Sequence, residues 1–137
     1  MKYKDGEKRI TYSLDNHDLC VSSFLSLVNT VWPGEYHEQF TKEALQKTMN
    51  ITAWDEEELV GCVRILTDGY FFGTITEILV SPDYQRNNIG KHLMELAFEH
   101  SPTSLFIGAQ PGKELFFEKS GYTKSIQSFQ KKKQRKR

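Results

Sequence analysis

The chain has 137 residues, 38% hydrophobic and 26% charged, which bounds it to one globular domain large enough to bury a core. No apolar run approaches the length that spans a bilayer, and the opening Met1-Lys2-Tyr3-Lys4-Asp5 lacks a signal-peptide hydrophobic region. The zero net charge conceals an asymmetry: residues 131–137 carry six of the 18 basic residues and no acid, leaving a body of formal charge −6.

In chain order, the alternation from Glu7 to Leu14 predicts a first strand. Asp15 or Asn16 is expected to cap a helix whose Val21, Phe24, Leu25 and Val28 recur at helical spacing. Trp32-Pro33-Gly34 breaks it, and Thr41 is expected to cap a second helix reaching Met49. Ile51 to Trp54 and Leu59 to Leu66 predict a hairpin joined by the acidic turn at Asp55–Glu58. Asp68-Gly69 signals a turn, and Tyr70 to Val80 a central strand. Ile89, Leu93, Leu96 and Ala97 form an apolar stripe on a helix running to about His100. Leu105–Ile107 is expected as a buried strand, Lys113–Ser120 as a short helix and Tyr122–Phe129 as a final strand. The order β-α-α-β-β-β-α-β-α-β predicts an α/β domain over residues 1–130, a mixed, mostly antiparallel sheet flanked by helices. Cys20 and Cys62 fall in apolar patterns and are expected as reduced core thiols, in keeping with a cytoplasmic location.

The stretch Ile78 to Lys91 carries the chemistry. An apolar strand ends at Ser81-Pro82, a polar loop with Asn87, Asn88 and Gly90 follows, and a helix begins. Unpaired amides and the dipole at such a helix start favour an anion, so phosphate is the expected ligand chemistry. Walker A and dinucleotide glycine spacings are both absent. An ordinary connection is the competing account.

Two motifs separate these accounts. Val80-x-Pro82-x-Tyr84-Gln85-x-x-Asn88-x-Gly90 resembles the acetyl-coenzyme A signature of the GNAT N-acetyltransferases. Phe116-Phe117-Glu118-Lys119-Ser120-Gly121-Tyr122, about 25 residues on, is similar to that family's last-helix block. The resemblance covers roughly Leu59 to Phe129 and implies the GNAT fold, with acetyl-coenzyme A as acetyl donor and no metal. By that likeness the donor is held by Ile78, Leu79, Val80, Gln85, Arg86, Asn87, Asn88, Ile89, Gly90 and Lys91, with Phe117 against the pantetheine arm. An N–H at Leu79 or Val80 would polarise the thioester.

Asn88 replaces the family's first loop Gly, the best substitute where backbone needs positive φ. Phe117 replaces the Tyr that many members use to protonate the leaving thiolate. Glu77, the only acid on the central strand, resembles the strand acid some members use as general base. A solvated or salt-bridged strand-edge Glu is the alternative. Glu35, His37 and Glu38 are secondary candidates, and Tyr122 a candidate acid. The implied acceptor is a primary amine of a small molecule or peptide, and the likeness allows a homodimer. A coenzyme A-binding sensor without turnover is the alternative. Residues 131–137 read as a disordered solubilising tail; with no interleaved aromatic residue, nucleic acid is the weaker reading.

Overall fold

A computed structural model describes residues 2–5 and 8–135 of the chain. Strands β1 (Lys2–Asp5), β2 (Lys8–Ser13), β3 (Met49–Asp55), β4 (Glu58–Thr67) and β5 (Gly73–Val80) form one antiparallel sheet in the order of the sequence. Helices α1 (Val21–Val31) and α2 (Glu38–Gln46) lie between β2 and β3, while α3 (Ile89–His100) and α4 (Glu114–Lys119) follow β5.

Two apolar layers hold the sheet between helices. Phe24, Leu27 and Val28 of α1 and Leu45 of α2 pack with Leu59, Cys62 and Leu79 on one face. On the other face, Ile89, Leu93, Met94 and Ala97 of α3 meet Ile51, Val60, Val63 and Ile65. Side chains alternate along a strand, so β4 is buried on both sides. Gly61 permits the close approach of α3: a Cβ there would lie 3.1 Å from both Ile89 and Leu93 side chains. Buried Asn50 ties α2 to β3, its amide donating to the Leu45 carbonyl at 2.8 Å and its oxygen accepting from Thr48 at 2.7 Å.

The β3–β4 hairpin and α3 match their sequence expectations closely. Several other elements differ, each for a local reason. Helix α1 is capped at Cys20, not at Asp15 or Asn16. Asp15 sits at φ +46° in a turn, and the Asn16 amide is held by the Asn50 carbonyl at 2.6 Å. Helix α2 starts earlier than Thr41 because the His37 ring accepts the Phe40 amide and serves as cap. Strand β5 starts at Gly73, because the Asp68 carboxylate gathers the amides of Tyr70, Phe71 and Phe72 into a turn. Those bonds, Tyr70's foremost, hold the Asp68 carboxyl below the usual carboxylate range.

The expected first strand corresponds to β2; its Glu7 lies outside the described residues. Leu105–Ile107 forms only a parallel bridge, Phe106 to Thr74, rather than a strand. Tyr122–Phe129 forms no strand. Tyr122 and Ile126 share one parity and Phe129 the other, so no pleated face collects them; Ile126 and Phe129 stay exposed.

Of the two thiols, Cys62 is buried but Cys20 is exposed, which corrects its expected core position. Cys20 Sγ lies 3.0 Å from Ser22 Oγ, and that bond leads the groups that lower its pKa to about 7. Burial pushes the Cys62 thiol far up. Alkylation by iodoacetamide is therefore expected at Cys20 alone in the native protein, its rate rising with pH through a midpoint near about 7. A midpoint at the ordinary thiol value of about 8.5 would contradict this assignment.

Candidate acyl-donor site

A cavity of about 830 Å³ opens where β5 parts from the Leu105–Ile107 segment, a size that suits a cofactor-like ligand. The two stretches are joined at Thr74, where Ile75 N–H donates to Phe106 at 2.9 Å and Phe106 N–H to Gly73 at 3.0 Å. Beyond that bridge, Thr76, Ile78 and Val80 form one wall, with Ile107, Gly108 and Gln110 opposite.

A β-bulge at Arg64/Ile65 shifts the register of β4 against β5, leaving Thr76 without a ladder partner. Ser81 N–H donates to the Val60 carbonyl at 2.8 Å. The alternation of an antiparallel ladder then turns Leu79 N–H toward Cys62 and the Ile78 and Val80 amides away from β4, into the cavity. The Val80 carbonyl, on that same free side, accepts from Gln85 Nε2 at 3.2 Å. Leu79 itself is 1% exposed and packs beneath α1, so its expected place in the site is corrected: Val80 is the free donor.

Below Val80, Pro82–Tyr84 makes a single 3-10 turn. Tyr84 anchors it, its hydroxyl donating to Asp55 Oδ2 at 2.6 Å; that bond above all pushes the phenol well above its usual range. The chain then passes through two left-handed residues, Arg86 at φ +72° and Asn88 at φ +60°. Asn88 is the N-cap of α3 but makes no side-chain capping bond. The first-turn amides of α3, from Ile89 to Lys91, therefore lack both an intrahelical acceptor and a cap from Asn88. Their open N–H groups and the positive end of the helix meet the cavity, which Gln85, Arg86, Asn88, Ile89, Gly90 and Lys91 all line. Asn87 does not line it.

Helix α4 closes the far side. A Cβ on Gly90 would come within 3.3 Å of the Phe116 ring, so glycine lets α3 start against that aromatic wall. Phe117 stands edge-on to Phe116, centroids 5.1 Å apart, and lines the cavity. The sequence reading missed Lys113 and Lys119 at the two ends of α4. With Arg86 and Lys91 they give the lining four cations against one carboxylate, Glu77. Their only sequence signal was proximity to the Phe-Phe block.

Glu77, three residues before Val80 on β5, lines the cavity on the side away from the loop, and Val31 and Trp32 line it too. Glu77 is ion-paired across the ladder to Arg64: Nε donates to Oε2 and Nη2 to Oε1, the latter at 3.0 Å. Thr76 Oγ1 adds a bond to Oε1 at 2.9 Å. A carboxylate offers about four lone-pair sites, so these three donors leave one open, on Oε2. Glu35, His37 and Glu38 are outside the lining, His37 being occupied as the α2 cap. Tyr122 is also outside it, its hydroxyl buried without a partner among the described residues. Among those residues, no group of three His, Cys, Asp or Glu could hold a metal, and no helix is long and apolar enough to cross a membrane.

An antiparallel sheet between helices, with a cavity at a parting strand edge above a helix N-terminus, places the chain among the α/β folds that offer an anion-holding cleft. Residues 17–135 match the family described as "Acetyltransferase (GNAT) domain", and the chain belongs to that family. Solved structures share the fold. A probable acetyltransferase from Staphylococcus aureus has a TM-score of 0.75 at 17% identity, covering 90% of this chain and 99% of that one. A GNAT-family protein from Streptococcus pneumoniae has a TM-score of 0.71 at 22% identity, covering 89% and 99%. An aminoglycoside acetyltransferase from an uncultured soil sample, in complex with trehalose, has a TM-score of 0.72 at 16% identity, covering 93% and 97%. No curated protein sequence matches the chain.

Proposed function

We propose that this chain moves the acetyl group of acetyl-coenzyme A to a primary amine by direct attack in a ternary complex. The observation that carries the proposal is the make-up of the cavity lining. It joins the first-turn amides of α3 and four cations to an outward-turned strand N–H at Val80 and a single carboxylate, Glu77.

The pyrophosphate fits the amides from Arg86 to Lys91, and Lys113 and Lys119 can meet further phosphate charge. The pantetheine arm runs along β5 between Val80 and Phe117, and Val80 N–H receives the thioester oxygen as charge develops on it. The acceptor enters beside Trp32 and Glu77. A lysine-like amine of pKa ~10.4 is almost wholly charged at neutral pH, so it must lose a proton before attack. The open lone pair on Glu77 Oε2, directly or through water, is the place for that proton. Phe117 cannot donate a proton, and a thiol of pKa about 8.5 can leave as thiolate. We place the protein in the cytoplasm, in keeping with its two free thiols. One observation favours a second reading, a coenzyme A-binding module without turnover: Arg64 already occupies both Glu77 oxygens.

Calorimetric titration with acetyl-coenzyme A separates these readings from all others. Saturable binding is expected, at a Kd within the ~1 μM to 1 mM span usual for substrates, and weakening with salt. Absence of binding would defeat both readings. Thiol release across a panel of amines then distinguishes enzyme from sensor.

A further inference from the structure

Among the described residues, the basic segment after Gln130 touches the body at Arg135. The Arg135 guanidinium lies over the Tyr36 ring, 5.7 Å from its centroid. Tyr36 is half-buried under α1, and its hydroxyl donates to the Trp32 carbonyl at 2.8 Å. Trp32 in turn lines the same cavity as Glu77. In sequence Tyr36 is flanked by the exposed carboxylates of Glu35 and Glu38, whose charge complements that of the segment.

Lys131, Lys132 and Lys133 precede that anchor by two to four residues, and all three are exposed. An extended chain advances at most ~3.6 Å per residue, so anchoring Arg135 confines these three amines to the neighbourhood of the acceptor mouth. Confinement of this kind raises the local amine concentration steeply over that of free solution.

We infer that Lys131–Lys133 are acetyl acceptors in cis, a self-modification site served by the chain's own cavity; the inference rests on the acetyl-transfer reading above. The unprotonated Nζ attacks the thioester carbonyl and a C–N bond forms. The C–S bond breaks, coenzyme A leaves as thiolate, and the amine proton passes to Glu77 or water. Each transfer removes one positive charge from the segment and weakens its attraction to Glu35 and Glu38, so the modification limits itself.

The test is peptide mapping by mass spectrometry of the full chain incubated with acetyl-coenzyme A. Lys42 and Lys47, exposed around α2, serve as internal controls for uncatalysed acetylation. Acetyl groups are expected on residues 131–133 well ahead of the controls, at a first-order rate independent of protein concentration. Arg135→Ala removes only an exposed side chain and should slow that rate about threefold, the worth of one exposed cation–π contact. The inference is overturned if the three lysines gain acetyl no faster than Lys42 and Lys47, if the rate scales with protein concentration, or if Arg135→Ala changes nothing. Thiol release with a small amine, measured on the same sample, separates this failure from failure of the acetyl-transfer reading. Turnover there with untouched lysines rejects the self-modification alone.

Discussion

Glu77→Gln is expected to lower kcat by about 100-fold while leaving the KM for acetyl-coenzyme A unchanged. General-base assistance is worth about 10²–10⁴, and the lower end applies because three of the carboxylate's lone-pair sites already receive donors. Glutamine keeps the shape and a carbonyl for Arg64 but has no oxygen that accepts a proton at neutral pH. Steady-state kinetics with a reactive amine, alongside thermal melting, reads both consequences. A lowered Tm with unchanged kcat would reduce Glu77 to half of a structural ion pair. Arg64→Ala provides the complementary measurement. It strands a carboxylate that is 15% exposed and strips the guanidinium from its perch over Phe24, 5.6 Å from the ring centroid. Removing one partner of a buried pair costs about 3 kcal/mol or more; the slight exposure of this pair favours the lower figure.

Asn88→Val is expected to weaken acetyl-coenzyme A binding by about tenfold, and Asn88→Gly to preserve it. The residue stands at φ +60°, where a β-branched side chain is strained by roughly 1–2 kcal/mol. Valine therefore drives the loop away from the conformation that presents the α3 amides, whereas glycine adopts it freely. Calorimetry on the three proteins decides the matter. Equal affinities for Val and Asn would mean that the amides do not hold the ligand. The same comparison tests whether asparagine stands in for glycine through its backbone alone, since its side chain makes no capping bond.

Much of the site was readable because its parts are contiguous. A strand, a Ser-Pro turn and a polar loop before an apolar helix are local signals, and the chain from Ile78 to Lys91 adopts them in that order. What escaped is non-local. Lys113, Lys119 and Trp32 reach the cavity only through the packing of α4 and α1. The partner of Glu77 lies 13 residues upstream, across a ladder. Leu79 was misplaced because the direction of its amide depends on ladder parity, and parity depends on a bulge that no single residue announces. The Tyr122–Phe129 strand failed for the opposite reason: its apolar residues looked strand-like singly but do not share a face.

The bulge opposite Arg64 and Ile65 works as a change of phase along one strand edge. Upstream of it, odd-numbered Ile75 turns its amide outward and binds Phe106. Downstream, the even-numbered residues face outward, and their amides meet no strand among the described residues. One edge thus closes the fold over its first half and stays chemically open over its second. A single inserted or deleted residue near Thr76 exchanges the inward and outward sets of the downstream half, leaving the composition almost untouched. The length of β5, counted in single residues, is therefore under tighter geometric control than the identity of most side chains on it.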